Sequence, residues 1–183
     1  VDREGRYIIV YEGSVAAGAS PAYNTNLINP KDYKSLWDFL SPKLKGKIVS
    51  PDLRRVRGSG PSFQYLYYHS DLGPEFLRRF YGEMEVTLTA DGRQAMDWLA
   101  AGKFALSMPT QSSFTSKAKA QGLPVDEFDP HHFKEGATLS VAFGQLALMN
   151  RAPHPNAAKV FVNWLLSRDG QSAFQRVIST PGE

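Results

Sequence analysis

Short runs that contain apolar residues along the chain predict strands. The runs combine β-branched, aromatic and aliphatic side chains, and many of them are bounded by glycine or proline, as strands inside a packed sheet are. They are residues 7–11, 47–50, 85–88, 104–108 and 125–128. A longer stretch, 137–149, is also largely apolar and predicts either one long strand or two.

Between these runs, apolar residues recur at the three- and four-residue spacing of amphipathic helices. The predicted helices begin near Ser35, Gly60, Gly73, Asp91, Phe114, Pro155 and Ser167. Asp91, with Gln94 three positions later, has the pattern of a capping box. Because short strands alternate with helices, the fold class predicted is α/β.

The composition is that of a globular chain and excludes several classes of site. Of 183 residues, 42% are hydrophobic and 21% are charged, which argues against general disorder. No apolar run reaches the roughly 18–20 residues of a membrane-spanning helix. The chain has no cysteine, so disulfides, thiolate metal sites and cysteine nucleophiles are excluded.

The charge balance is mildly basic. The formal charge is +3 and the pI is near 9.1, which favours an anionic partner without requiring nucleic acid. Basic residues cluster at Lys43, Lys45, Lys47, Arg54, Arg55 and Arg57. No nucleic-acid-binding motif accompanies this cluster, so we interpret it as a solvated face.

A glycine-rich turn precedes the helix that is predicted near Gly60. Its sequence is Arg57-Gly58-Ser59-Gly60. The N-terminus of a helix carries unpaired backbone N–H groups and a partial positive charge, and it can therefore hold an anion. Ser59 would add a hydroxyl and Arg57 a bidentate donor. The turn is a candidate anion site, and an ordinary helix cap is the alternative.

Two more polar loops are candidate ligand contacts. The first loop consists of Thr110, Gln111, Ser112 and Ser113. The second consists of Asp91, Gly92 and Arg93. Open α/β sheets bind ligands at the carboxyl ends of their strands, where these loops are expected. A solvated loop and a plain helix cap are the alternatives.

No residues with the spacing of a catalytic or metal site are recognisable. His131 and His132 are adjacent, and neighbouring residues rarely ligate one metal ion. Tyr67 and Tyr68 lie in an amphipathic helix, where one of the two is expected to face the core. A G-x-S-x-G nucleophile motif is absent from the sequence. We therefore predict that the protein is not an enzyme and needs neither a metal nor another cofactor.

Two groups of motifs resemble one protein family. The first group is Tyr23-Asn24-Thr25-Asn26-Leu27-Ile28, Leu36-Trp37-Asp38-Phe39-Leu40, Pro42-Lys43-Leu44-Lys45-Gly46-Lys47-Ile48 and Pro51-Asp52. The second group is Ala152-Pro153-His154-Pro155-Asn156-Ala157-Ala158-Lys159-Val160-Phe161 and Trp164-Leu165-Leu166-Ser167-Arg168-Asp169-Gly170-Gln171. Together they resemble the extracellular solute-binding proteins of bacterial ABC transporters, in the branch that contains the ferric-iron-binding proteins.

The resemblance implies a type II periplasmic-binding-protein fold, in which two lobes close on a solute. It also implies an inner-membrane ABC permease as partner and the periplasm as location. Family members are nearly twice as long, so we expect much of the amino-terminal lobe to be missing. Residues 1–23 would be a hinge strand from that lobe, 24–140 the second lobe, and 141–183 a return strand and terminal helices that pack on the first lobe and hinge.

One position departs from the iron-binding pattern. In those members a Tyr-Tyr pair follows the strand equivalent to 104–108 and binds the metal, whereas this chain has Ser112-Ser113. Serine hydroxyls are too weakly acidic to replace phenolates on Fe³⁺. We therefore expect a small anionic or polar solute. Ferric binding through other ligands and an effector-binding domain of an intracellular regulator are the alternatives.

Overall fold

The computed structural model describes residues 8–10, 14–17, 19–52, 54–55, 60–140, 145–149 and 151–179. The chain divides into two compact units. One unit is Val15–Thr138, and the other combines Val1–Ser14 with Leu139–Glu183. The main sheet lies within Val15–Thr138.

Between residues 48 and 127 four strands are separated by α-helices, so the α/β prediction is confirmed. The strands are β1 (Ile8–Val10), β2 (Ser14–Ala17), β3 (Ala22–Asn24), β4 (Ile48–Pro51), β5 (Thr87–Thr89), β6 (Leu106–Ser107), β7 (Val125–Glu127), β8 (Ala137–Ser140) and β9 (Gln145–Ala147). The α-helices are α1 (Gly60–Tyr68), α2 (Gly73–Glu83), α3 (Gly92–Ala100), α4 (Ser112–Ala120), α5 (Pro155–Leu165) and α6 (Arg168–Ser179). Short 3₁₀ helices span Pro30–Asp32, Leu36–Leu40 and Pro42–Leu44.

The main sheet has five strands in the order β5-β4-β6-β3-β7. Strand β4 is parallel to both of its neighbours, β5 and β6, and Ile48 is in register with Leu106. Strand β3 is antiparallel to both β6 and β7. Because β4, β5 and β6 run in the same direction, their carboxyl ends lie along one edge of the sheet.

Large apolar side chains from the sheet, the 3₁₀ helices, α1 and α2 form the main core. Its fully buried members include Leu36, Phe39, Ile48, Leu66, Phe76, Phe80, Leu106 and Met108. Helix α2 contributes Phe76 and Phe80, the four-residue spacing that the sequence pattern predicts. Each such side chain contributes about 1.5–3 kcal/mol by leaving water.

A second core anchors α3 and α4, the two helices that follow β5 and β6. Its buried side chains are Ala22, Met96, Leu99, Ala118 and Val125. Asn24 joins β3 to α3, since its side-chain amide donates to the Leu99 carbonyl oxygen at 2.7 Å. This packing sets the positions from which α3 and α4 begin.

Several local expectations need correction. Strand β3 was not predicted, because its sequence is too short to show a period. Only half of the predicted capping box forms: the Asp91 carboxylate accepts from the backbone of α3, but Gln94 accepts from the Thr89 hydroxyl instead. Tyr67 and Tyr68 are both exposed, so the expected core contact of one of them is wrong.

In the unit formed by Val1–Ser14 and Leu139–Glu183, β1 pairs antiparallel with β9. The Ser167 hydroxyl accepts the backbone N–H of Gly170 at 3.1 Å and so caps α6, as predicted. Helix α5 exposes an apolar row in which Phe161 is 53% and Trp164 is 47% accessible. No helix in the described residues is long and apolar enough to cross a membrane.

Candidate ligand site

A cavity of about 380 Å³ lies where the parallel strands of the main sheet end. The ends of β4, β5 and β6 and the first turns of α1, α3 and α4 surround it. Its polar lining consists of Ser62, Asp91, Ser107, Thr110 and Gln111. The rest of the lining is Pro51, Ala90, Gly92, Ala95, Pro109 and Phe114. The cavity thus combines hydroxyl, amide and carboxylate groups with an apolar wall, as small-molecule sites do.

The loop after β5 brings Asp91 to the cavity. One Asp91 carboxylate oxygen accepts from the backbone N–H groups of Arg93 and Gln94, at 2.8 and 3.3 Å, and caps α3. The Thr89 hydroxyl in turn accepts from the Asp91 backbone N–H at 3.2 Å. The Asp91 charge is therefore held in place by its own helix, and its second carboxylate oxygen has no hydrogen-bond partner in the part of the chain that the structure describes.

The loop after β6 supplies two hydroxyls and an open helix end. The Thr110 hydroxyl donates to the Ser107 carbonyl oxygen at 3.0 Å and lies 2.9 Å from the Ser107 hydroxyl. The backbone N–H of Thr110 donates to the Ser20 carbonyl oxygen at 2.9 Å, which ties the loop to the residues before β3. Gln111 precedes α4 without a side-chain cap, so the backbone N–H groups of Ser112 and Ser113 have no capping side chain among the described residues.

Ser112 and Ser113, which were predicted in a loop, form the first turn of α4. The Ser112 hydroxyl donates to a Glu127 carboxylate oxygen at 2.9 Å, and neither serine lines the cavity. The other Glu127 carboxylate oxygen is buried and has no hydrogen-bond partner among the described residues. An anionic ligand near Ser112 would therefore meet a carboxylate.

The remaining sequence candidates lie around the cavity or outside the described residues. Arg93 is exposed and does not line the cavity. Gly60 is the first residue of α1, and Ser62 of the same turn does line the cavity. Arg57 and Ser59 fall outside the described residues. The structure thus brings Asp91, Gly92, Thr110 and Gln111 together around one cavity.

Among the cavity-lining residues that sequence reasoning missed are two serines, Ser62 and Ser107, and the aromatic residue Phe114. Ser62 follows the glycine-rich turn and Ser107 ends a predicted strand, so both positions carried a usable signal. Phe114 carried none, because an apolar residue in the first turn of an amphipathic helix is expected to face the core.

Arg54 and Arg55, which precede the turn before α1 in sequence, are both paired with Asp52. Arg54 donates from Nε and Nη2 to the two Asp52 carboxylate oxygens, at 2.9 Å each. These hydrogen bonds hold the pKa of Asp52 below its usual value of 3.8. No group of three or more His, Asp or Glu side chains in the described part of the chain could hold a metal ion.

Solved structures with the same fold include binding proteins and a signalling protein. An iron-bound protein of Pseudomonas aeruginosa, HitA, is 22% identical with a TM-score of 0.63, and the match covers 92% of this chain and 54% of that one. A Trichodesmium protein, IdiA or FutA, in complex with iron and citrate is 20% identical with a TM-score of 0.69. The match covers 92% of this chain and 54% of that one. A two-component signal-transduction protein is 21% identical with a TM-score of 0.69, and the match covers 93% of this chain and 54% of that one.

The chain therefore spans about half the length of these structures. No curated protein matches it significantly. The sequence profile described as bacterial extracellular solute-binding protein matches residues 5–177, nearly the whole chain. The chain belongs to the bacterial extracellular solute-binding protein family and has a type II periplasmic-binding-protein fold.

Proposed function

We propose that this chain is the ligand-holding part of a periplasmic receptor that delivers a small anionic or polar solute to an ABC importer. The observation that carries the proposal is the cavity at the carboxyl ends of β4, β5 and β6. Its volume of about 380 Å³ suits a small molecule. Its polar groups suit a solute with several oxygen or nitrogen atoms.

The chemistry of the lining supports a solute of mixed character. The hydroxyls of Ser62 and Ser107, which line the cavity, can donate to a negatively charged group of the solute. The free Asp91 oxygen favours a hydroxyl or ammonium group elsewhere on the same solute. Arg57 and Ser59 remain candidates for the anionic group through the turn before α1.

Capture needs a second surface, which we assign to a further lobe. In this proposal residues 1–23 are a hinge strand, 24–140 are the second lobe, and 141–183 return to brace the first lobe. The exposed Phe161 and Trp164 of α5 support such a covering partner, because large apolar surfaces seldom face water. The solute would bridge the lobes and stabilise the closed state through its higher affinity for that state.

Ferric iron is a poorer fit than an organic or inorganic anion. The resemblance implies that Ser112 stands where the iron-binding members have a tyrosine, and its hydroxyl is hydrogen-bonded to Glu127. A hydroxyl is a weak ligand for Fe³⁺ without a phenolate or carboxylate set around it. Transport without catalysis accords with the family, whose members bind solutes.

The test is mass spectrometry of small molecules that co-purify with the gene product containing this chain. We expect one anionic or polar solute in near-stoichiometric amount, and titration of the stripped protein should then recover it. Thr110→Val and Gln111→Ala should each weaken binding by roughly three- to tenfold, because each removes one hydrogen-bonding group.

The matched control is Ser116→Ala, an exposed serine further along α4 that does not line the cavity. It should bind the solute as the parent protein does. Unchanged affinity in both Thr110→Val and Gln111→Ala would contradict the site. Stoichiometric iron without an accompanying anion would contradict the solute class.

A further inference from the structure

In the folded chain, some cations of the basic cluster between Lys43 and Arg57 pair with carboxylates and others do not. Lys45 lies 3.2 Å from a Glu85 carboxylate oxygen, and Arg54 and Arg55 lie 2.9 and 3.8 Å from the Asp52 oxygens. Lys43 and Lys47 have no carboxylate partner among the described residues. The interpretation of the cluster as one solvated face is therefore incomplete.

The two unpaired lysines line a second cavity, of about 950 Å³. Lys47 precedes β4 and Ala105 precedes β6, so this cavity lies at the amino ends of the parallel strands. Their amino ends are joined there by the backbone N–H of Ala105, which donates to the Lys47 carbonyl oxygen at 2.8 Å. The candidate ligand site lies at the opposite ends of the same strands.

Two more cations reach this second cavity from distant parts of the sequence. The Lys103 ammonium is held 4.1 Å from the centre of the Trp98 ring. The Arg79 guanidinium lies 5.9 Å from the centre of the Trp37 ring and pairs with Glu83 at 3.2 Å. The aromatic rings thus restrict the positions of both cations. Because these side chains are already ordered, binding of an anion costs less side-chain entropy.

Acidic groups offset this charge only in part. Asp32 and Asp38 also line the cavity. One Asp38 oxygen accepts from the backbone N–H groups of Lys34 and Ser35, at 2.7 and 2.9 Å, so this carboxylate is used to cap the 3₁₀ helix Leu36–Leu40. Three lysines and an arginine therefore line the cavity together with two carboxylates, and Glu83 pairs with the arginine. The positive charge that remains unpaired comes from the lysines.

We propose that this second cavity binds a small multivalent anion carrying phosphate or carboxylate groups. The anion lies between Lys43, Lys47 and Lys103. A multivalent anion fits better than a monovalent one because it contacts several ammonium groups at once. The cavity is also too large for one inorganic phosphate to fill.

The experiment is calorimetric titration of the gene product containing this chain with tripolyphosphate and, separately, with citrate, at low ionic strength. At least one probe should bind with one-to-one stoichiometry. The probe with the higher affinity shows whether the cavity prefers phosphate or carboxylate groups. The double variant Lys43→Gln/Lys47→Gln should weaken that binding at least about tenfold. Added salt should weaken it as well.

The matched control is Lys117→Gln/Lys134→Gln, which removes the same charge from two exposed lysines outside the cavity. Binding within about twofold of the parent protein is expected for this control. Equal loss in both double variants would overturn the proposal, because it would mean a non-specific charge effect. Loss on Thr110→Val but not on Lys43→Gln/Lys47→Gln would place the probe in the candidate ligand site and overturn the proposal too.

Discussion

A β-carbon added to Gly92 would lie 2.9 Å from Cε2 of Phe114. Gly92 is the first residue of α3, and Phe114 lies in the first turn of α4. The ring thus packs on the backbone of the neighbouring helix end, and both residues line the cavity at the carboxyl ends of the strands. Glycine at this position sets how closely the two helices that frame the site approach.

Gly92→Ala should therefore move the Phe114 ring and disturb the cavity. We expect a loss of about 1–2 kcal/mol in the free energy of unfolding, since overpacking outweighs the gain in helix propensity. Urea denaturation measures this loss. Adding Phe114→Leu to Gly92→Ala should restore much of it.

The matched control for this change is Gly60→Ala. Gly60 is likewise the first residue of a helix, α1, but none of the described residues lies within 4 Å of an added β-carbon there. Its stability should equal or slightly exceed that of the parent protein. If both glycine variants were equally destabilised, the contact with Phe114 would not be the cause.

Asp91→Ala should destabilise α3 by removing its N-terminal cap. The Asp91 carboxylate accepts two backbone N–H groups, and loss of such a cap costs about 1 kcal/mol. Asp97→Ala, an exposed carboxylate later in α3, is the control and should change stability by less than about 0.5 kcal/mol. Thermal unfolding of the two variants side by side tests the difference.

Asn24→Ala should lower the free energy of unfolding more than Asn26→Ala does, although both asparagines lie in the motif that runs from Tyr23 to Ile28. Asn24 is 2% accessible, and its side chain bonds to the Leu99 carbonyl oxygen and the Asn26 backbone N–H. We expect a loss of about 1–3 kcal/mol in the free energy of unfolding. Asn26→Ala, with an exposed side chain, should be near neutral, and equal losses would refute a structural role for Asn24.

The Asp52–Arg54 pair should make stability depend on pH in the acid range. Because the pKa of Asp52 is lower in the folded protein than in the unfolded chain, the pair stabilises the fold above the ordinary aspartate pKa of about 4. This contribution is lost as the pH falls through the lowered pKa. The free energy of unfolding should therefore fall less steeply with acid in Asp52→Asn than in the parent protein.

Arg54→Gln should also make the free energy of unfolding fall less steeply with acid. Combining it with Asp52→Asn should change this pH slope little further. The two changes remove one interaction, so their effects on the pH slope are not additive. A full additive effect in the double variant would show that Arg54 does not set the pKa of Asp52. Denaturant titration at several pH values gives the slopes.

Local patterns decided much of the fold from the sequence alone. Short runs that contain apolar residues predicted β4, β6 and β7, and the spacing of Phe76 and Phe80 predicted α2. The polar and glycine-rich loops after the strands marked Asp91, Gly92, Thr110 and Gln111 as candidate site residues. These features are local because periodicity, capping and turn formation involve residues close together in the chain.

Tertiary structure decided what no local pattern could. Strand β3, only three residues long, gained its place from hydrogen bonding to β6 and β7 on either side. Ser112 lies outside the cavity lining and donates to Glu127, which lies 15 residues away in the chain. Only folding brings Arg79 and Lys103 to the second cavity, which Lys43 and Lys47 also line. Each outcome depends on contacts between residues that are distant in sequence, and a one-dimensional pattern does not contain those distances.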